Sequence, residues 1–432
     1  MNMKQVLVKI GLLVITLTLI LSCGQTSKND ADMPTESKAK TAKDILGNPD
    51  YLAMSYGGYR LKSREEQPTI EQLKEDMKIL NAMGVHIVRT YNVHLPHAAN
   101  LLEAIAQLNK EDENFEMYVM LGAWIDCEKA WTPEPNHYAG DSVKNAKEME
   151  KTVRLANKYP EVVKMIAVGN EAMVKWAASY HVQADVILKW VNHLQDLKKN
   201  GGLPADMWIT SSDNYASWGG AAAEYHKKSL EDLLKAVDFV SLHTYPMHET
   251  HYFPHFWGIF EGEEELSQEE QIEKAMIRAI DYAKAQVAST KAYMDSIGVD
   301  KPIHIGETGW ATFSDGFYGD NGTKATDEYK EAVYYRLMRD WTNEEGMACF
   351  YFEAFNEIWK DEKNPLGSEN HFGLFTLEGD AKYALWDLVD KGTFEGLGRN
   401  GKAIGKTYDG DKAKLLESIQ MPPMKAKAAA EH

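Results

Sequence analysis

Short apolar runs alternate along this chain with longer segments whose apolar positions recur every three or four residues. The short runs predict strands at Tyr51–Tyr56, His86–Tyr91, Glu116–Leu121, Val163–Val168, Met207–Ser211, Asp238–His243, Pro302–Ile305 and Ala348–Phe352. Between them the spacing predicts helices over Thr69–Met83, Ala98–Leu108, Ser142–Lys158, Val182–Asn200, Lys228–Ala236, Gln268–Ile297 and Thr326–Asn343. The first of these opens with the capping-box spacing Thr69…Gln72 and stops at Gly84. Eight strands, nearly every one followed by a helix, predict an α/β fold: one (β/α)8 TIM barrel over residues 45–420, with no linker inside it. A doubly wound sheet would carry a Gly-rich phosphate turn after its first strand, and the segment Ser55-Tyr56-Gly57-Gly58-Tyr59-Arg60 has no G-x-G-x-x-G.

The two ends read differently from the middle. Lys4 and Lys9 precede an apolar run from Ile10 to Leu21, too short to span a bilayer comfortably and shaped like an export signal. Ser22-Cys23-Gly24 after that run resembles a bacterial lipobox, which implies a signal peptide over residues 1–22 and lipidation of Cys23. Gly24 in place of Asp implies sorting to the outer membrane, so the expectation is a lipid-anchored protein of the bacterial envelope. Residues 23–44 are polar and read as a tether, and residues 421–432 as a C-terminal tail.

Charge narrows the ligand. With 47 Lys and Arg against 65 Asp and Glu, the formal net charge is −18. A nucleic-acid partner is therefore not expected, and a polyanionic substrate would need a local basic patch to override the field. Three cysteines are too few for a disulfide scaffold, and Cys127 and Cys349 are read as small buried residues. No cofactor is expected, and the protein is expected to act as a monomer.

A barrel places its chemistry just past the C-terminal ends of its strands. Those positions here hold Ser55-Tyr56-Gly57, Arg89-Thr90-Tyr91-Asn92, Trp124 and Asp126, Gly169-Asn170-Glu171, His243-Thr244-Tyr245, Gly306-Glu307-Thr308 and Glu353-Ala354-Phe355-Asn356-Glu357. Paired carboxyl groups among aromatic rings form the inventory of a sugar-cleaving site. One carboxyl protonates the leaving oxygen, and a second attacks or activates water from the other side. Glu171 and Glu307 end separate apolar runs, after strands four and seven, and each follows a glycine expected to let the chain turn.

The motifs Val168-Gly169-Asn170-Glu171 and Gly306-Glu307-Thr308-Gly309-Trp310, and the stretches Phe352–Lys360 and Glu369–Phe375, resemble glycoside hydrolase family 17, the β-1,3-glucanases and related glucosyltransferases. The opening from Gly58-Tyr59-Arg60 to Arg89-Thr90-Tyr91-Asn92 resembles the bacterial and fungal branch, and the likeness runs through most of residues 50–380. It implies Glu171 as acid/base, Glu307 as nucleophile, and Asn170 on the sugar 2-hydroxyl. Tyr245 would donate to Glu307 and keep it ionised. Glu357 and Lys360 match a Glu and a Lys of the family pattern that support the catalytic pair or bind substrate. Tyr56, Arg89, Tyr91 and Trp124 complete the expected substrate-binding set. Two departures stand out: Ala311 replaces a common Pro, and Glu353 is an extra acid expected either to touch substrate or to pair with Arg89.

The implied reaction is hydrolysis of β-1,3-glucan such as laminarin, with retention through a glycosyl-enzyme. The same two glutamates would serve glucanosyl transfer as the alternative, and a non-catalytic glycan-binding barrel is the third reading. Retention implies carboxyl groups about 5–5.5 Å apart. Trp124, Trp176, Trp218, Trp310 and Trp359 are candidate platforms for sugar rings, with Trp310 expected against the reacting sugar. His248, His251 and His255 match no metal-ligand spacing, so no metal is expected; their stretch reads as a long loop over the cleft.

Overall fold

The computed structural model describes residues 40–425. Eight parallel strands close a barrel in chain order, with the first strand pairing with the last. They are β1 (Leu52–Ser55), β2 (Val85–Arg89), β3 (Tyr118–Ala123), β4 (Val163–Asn170), β5 (Trp208–Asn214), β6 (Val240–His243), β7 (Ile303–Thr308) and β8 (Cys349–Tyr351). Around them run α1 (Ile70–Ala82), α2 (His97–Glu111), α3 (Ser142–Lys158), α4 (Ala184–Lys199), α5 (Lys228–Ala236), α6 (Gln268–Ser296) and α7 (Glu328–Glu344). Among the described residues no helix is long and apolar enough to cross a membrane.

Strand alternation divides the core in two. Outward residues such as Met54, Val88, Leu121 and Ile166 pack with the apolar stripes of the helices. Inward residues Ala53, Ile87, Met120, Met165, Ala167, Phe239 and Phe350 fill the barrel floor together with Ala42, Ile45 and Leu46. A short helix, Ala42–Ile45, supplies that plug. Its first turn is capped by Thr41, whose side chain and backbone N–H both donate to Asp44, at 2.7 and 2.8 Å. The fold therefore starts before residue 45, inside the stretch expected to be tether, because Ala42 and Ile45 are fully buried. Met1–Ala39, with the expected signal peptide and Cys23, lie outside the described residues.

Other boundaries move as well. β3 starts two residues later than expected, and β5 runs on past its expected end at Ser211 through Ser212, Asp213 and Asn214. An antiparallel hairpin, Cys127–Glu128 with Asn136–Gly140, intervenes between β3 and α3. At the other end, residues expected to be tail are tied in: the Ile259 N–H donates to the Pro423 carbonyl at 2.9 Å, and the Lys425 N–H to the Ile259 carbonyl at 2.8 Å. A second hairpin, Gly398–Arg399 with Lys402–Ala403, sends Arg399 back to α1. There Asp76, fully buried, accepts from Arg399 Nε at 2.9 Å, Arg60 Nη2 at 2.9 Å and the Tyr56 hydroxyl at 2.9 Å. Cys127 and Cys349 are both buried free thiols.

Candidate active site

The barrel's upper rim assembles one carboxylate inside a cage of donors. Glu307, on β7, accepts from the Tyr245 hydroxyl at 2.7 Å through Oε1. Its Oε2 accepts from Arg89 Nη1 at 2.7 Å and the Tyr91 hydroxyl at 2.9 Å. Burial alone pushes the Glu307 carboxyl up, but His243, Arg89, the Tyr245 hydrogen bond and Lys360 outweigh it and hold the group below the ordinary glutamate range. Burial and the Glu307 charge drive the Tyr91 and Tyr245 phenols well above theirs, so both keep a proton to donate. Arg89 also donates to the Gly306 carbonyl at 2.8 Å and to Asn170 Oδ1, tying β2, β4 and β7 into one frame.

Glu171 stands just past β4 with far fewer contacts. Its φ of 45° lies in the left-handed region, which a non-glycine residue occupies at a cost of about 1–3 kcal/mol. The Glu171 N–H donating to the Ser212 carbonyl at 3.0 Å holds that turn. Its Oε1 lies 3.1 Å from His243 Nδ1, and His243 Nε2 lies 2.8 Å from Ser212 Oγ, itself 2.8 Å from Ser241 Oγ. A quarter of the Glu171 side chain remains exposed, whereas His243 is fully enclosed.

Gly306 does something other than turn the chain. A Cβ there would lie 2.0 Å from Ser241 Oγ and 2.7 Å from Ser212 Oγ, so glycine lets β7 press against the serine pair behind His243. Gly169 does turn, with φ of 80°.

A cleft of about 330 Å³ opens over this frame. Of the expected residues it is lined by Tyr56, Tyr91, Trp124, Asn170, Glu307, Glu357 and Lys360. Tyr245 reaches it through Glu307. Arg89 lies beneath, 1% exposed, so it positions Glu307 and Asn170 rather than meeting substrate. Tyr56 is just as enclosed, with its hydroxyl spent on Asp76, so it supports the cleft wall from behind. Glu357 is also turned inward: it accepts from the Tyr59 N–H at 3.0 Å and from Trp359 Nε1 at 2.8 Å. Gly57 leaves room for this, since a Cβ there would overlap the Glu357 carboxylate.

Lys360 sits between Glu353 at 3.5 Å and Glu357 at 3.7 Å, with Phe352 under its ammonium at 4.2 Å. Glu353 thus pairs with Lys360 and not with Arg89. Burial pushes the Glu353 carboxyl well up against that pairing, and its Oε1 has no hydrogen-bond partner.

Trp310 does not face the sugar position. It is fully buried between Trp257 and Tyr334, with Nε1 donating to the Ala325 carbonyl at 2.7 Å. Trp218 is likewise buried, donating to the Ser241 carbonyl. Trp124 and Trp359 line the cleft, while Trp176 is 62% exposed outside it. The His248–His255 stretch is not a loop but mostly helix, Pro246–Tyr252, followed by a tight turn. His248 stacks on Tyr245 and lies 3.7 Å from Glu369, and His251 stacks on Phe317. Among the described residues no group of three or more His, Cys, Asp or Glu side chains is placed to hold a metal.

Several residues escaped the sequence reading. His243 was visible at a strand end but had no role until its partners, far off in sequence, came beside it. Asp213, at the end of β5, is pushed up to about 7 by burial, opposed by the Met173 N–H and reinforced by the Glu171 charge. It accepts from the Met173 N–H at 2.7 Å and so anchors the loop that follows Glu171. Tyr180 and Trp131 stack at 5.1 Å to extend the aromatic wall beyond Trp124. A larger hollow, about 810 Å³, lies between α1 and residues 389–404, and neither Glu171 nor Glu307 lines it.

A sequence model of the BtgE/BtgC glycoside hydrolase domain matches residues 53–373. A solved endo-laminarinase from Formosa Hel1_33_131 is 62% identical with a TM-score of 0.89, over 91% of this chain and 100% of that one. A probable glucan endo-1,3-beta-glucosidase of Aspergillus flavus is 24% identical, over 84% of this chain and 47% of that protein. The chain thus spans about half the length of the curated relatives it matches. A glycoside hydrolase family 17 beta-1,3-glucanosyltransferase from Rhizomucor miehei shares the fold at 18% identity and a TM-score of 0.53, over 78% and 96% of the two chains.

Proposed function

This chain belongs to the BtgE/BtgC glycoside hydrolase domain family, and from that premise we propose that it hydrolyses β-1,3-glucan of the laminarin type with retention of configuration. The observation that carries the reading is the unequal treatment of two glutamates, one just past β4 and one on β7. Glu307 is held ionised by three donors, as a nucleophile must be. Glu171, part-exposed and bonded to one imidazole, is free to give a proton to the leaving oxygen and take one back from water. Attack by Glu307 on the anomeric carbon breaks the glycosidic bond as Glu171 protonates the departing oxygen. Water, deprotonated by Glu171, then releases the sugar with its β configuration restored. Asn170, steadied by Arg89, stands beside Glu171 where the 2-hydroxyl of the reacting sugar would lie.

The test is digestion of laminarin followed by NMR. Early β-anomers and shortening products are expected, with little action on cellulose or mannan. Early α-anomers would overturn the covalent route, and products longer than the substrate would assign the chemistry to glucanosyl transfer.

The lipobox-like Ser22-Cys23-Gly24 supports a lipid-anchored envelope location. Cys23→Ala is expected to release the protein in soluble form; unchanged membrane fractionation would refute the anchor.

A further inference from the structure

The cleft does not end at Trp124. It continues into a groove of about 660 Å³, and Arg64, Asn92, Trp124 and Trp131 line both. One wall is aromatic and unusually well fixed: Asp126 accepts from Trp124 Nε1 at 2.8 Å and from Trp131 Nε1 at 3.1 Å, so one carboxylate aims two indoles. Trp131 nevertheless keeps 59% of its surface exposed, as a ring meant to be covered would.

The opposite wall is α3, and its charge runs against that of the molecule. Lys144, Lys147, Lys151 and Arg154 all line the groove, at the three- and four-residue spacing that puts them on one helical face. Arg64 joins them from the other side. Three carboxylates also line the groove, but each is engaged. Asp126 serves the indoles, with Lys144 at 3.7 Å; Glu148 is buried on the N–H groups of Val93 and Trp124 at 2.6 and 3.1 Å; Glu150 pairs with Arg154 at 2.9 Å. Among the described residues Arg64, Lys147 and Lys151 have no carboxylate partner. The Lys151 ammonium reaches only the His94 and Leu95 carbonyls, at 3.3 and 3.5 Å, and Arg64 lies over Trp359 at 4.2 Å. A neutral glucan offers these cations hydroxyls to hydrogen-bond but no counter-charge. On a chain of net charge −18, unneutralised positive charge gathered in one groove focuses anions there.

We propose that this groove is a subsite for β-glucan chains carrying anionic substituents, sulfate esters or carboxylates, which Arg64, Lys147 and Lys151 bind while the indoles hold the sugar rings. The proposal rests on the glucanase reading and extends it to decorated substrate. Indole faces suit sugar C–H groups, and continuity with the catalytic cleft suits a chain threading both.

The experiment compares kcat/KM on laminarin, lightly sulfated laminarin and carboxymethylated curdlan for the wild type, the double variant K147E/K151E, and a distant control, K412E. Affinity of each for sulfated laminari-oligosaccharides is measured in an E307Q background, where cleavage does not interfere. Charge reversal in the groove is expected to lower kcat/KM and affinity on at least one anionic glucan by about tenfold at low salt, to leave laminarin within about twofold, and to lose its effect near 1 M salt. Which anionic glucan responds identifies the substituent. K412E is expected to match the wild type; a drop as large as that of the double variant would reduce the effect to net charge and overturn the proposal. So would equal losses on neutral and anionic glucans, or no loss on either anionic one. A wild type inactive on laminarin and both anionic glucans would break the glucanase reading itself, while the affinity measurement would still decide the groove.

Discussion

Two carboxylates of the same residue type stand on one barrel rim in opposite surroundings. Glu307 is enclosed, touched by two phenols and a guanidinium that reach it from the ends of β2 and β6. Glu171 stands on a left-handed turn with a single imidazole at its oxygen. The first environment favours one protonation state, and the second permits exchange. Retaining hydrolysis needs that division of labour, because its nucleophile must stay charged until it bonds while its partner changes state twice per turnover. Side-chain identity therefore says little about role; the number and direction of donors says most of it.

Breaking either side of this contrast should cost activity in a graded way. Glu307→Ala is expected to cost the most, on the order of 10⁴-fold or more in kcat, since no other group can form the covalent bond. Azide attacking the vacated face should restore part of the rate and yield an α-glycosyl product detectable by NMR. Glu171→Gln should lower kcat on laminarin by about 10²–10⁴-fold. It should cost far less in forming the glycosyl-enzyme from an aryl glucoside whose phenolate departs unprotonated. Equal losses on both substrates would deny Glu171 its role as acid.

Tyr245→Phe removes a donor to the charged form of Glu307, so the Glu307 carboxyl must titrate higher than in the wild type. In the wild type Glu307 is held low, so activity should persist below the ordinary glutamate pKa of about 4.3 and fail only as pH drops through the depressed value. In the variant the acid limb of kcat/KM should move upward, with a loss of about tenfold near pH 4.5 and a smaller one at neutrality. An unmoved acid limb would show that Arg89 and Tyr91 alone set the charge. Trp310→Phe is expected to do least to catalysis. It should leave KM unchanged and cost about 1–3 kcal/mol of stability, read from denaturant melts, because the indole fills core and satisfies a carbonyl. A raised KM at full stability would return Trp310 to the cleft.

What was legible in the chain, and what was not, follows one rule: period and strand exit can be read, direction cannot. Glu171 and Glu307 stand at the exits of apolar runs, and both lie at the rim. Trp310 stands at the same kind of exit, yet its ring turns inward between Trp257 and Tyr334, and nothing in the neighbouring residues foretells that. Polar ends misled in the other direction. The strand expected to end at Ser211 continues through Ser212 and Asp213 because the barrel's interior supplies their partners: His243 and Ser241 for the serine, backbone N–H groups for the aspartate. The plug at Ala42 and Ile45 was hidden by the polar residues around it, since two apolar side chains three apart make too short a pattern to separate a helix from a tether.

Asp76 carries a consequence for how this enzyme can be cut. Its carboxylate is shared among Tyr56 beneath the cleft, Arg60 in the loop after β1, and Arg399 more than three hundred residues downstream. Any shortening that removes Arg399 strips a dry negative charge of one of its two guanidinium partners and loosens the hydroxyl that sets the Tyr56 ring. The hairpin carrying Arg399 is thus a keystone rather than trim: trimmed away for convenience of expression, it would be missed first at the opposite end of the chain, in the wall where substrate lies.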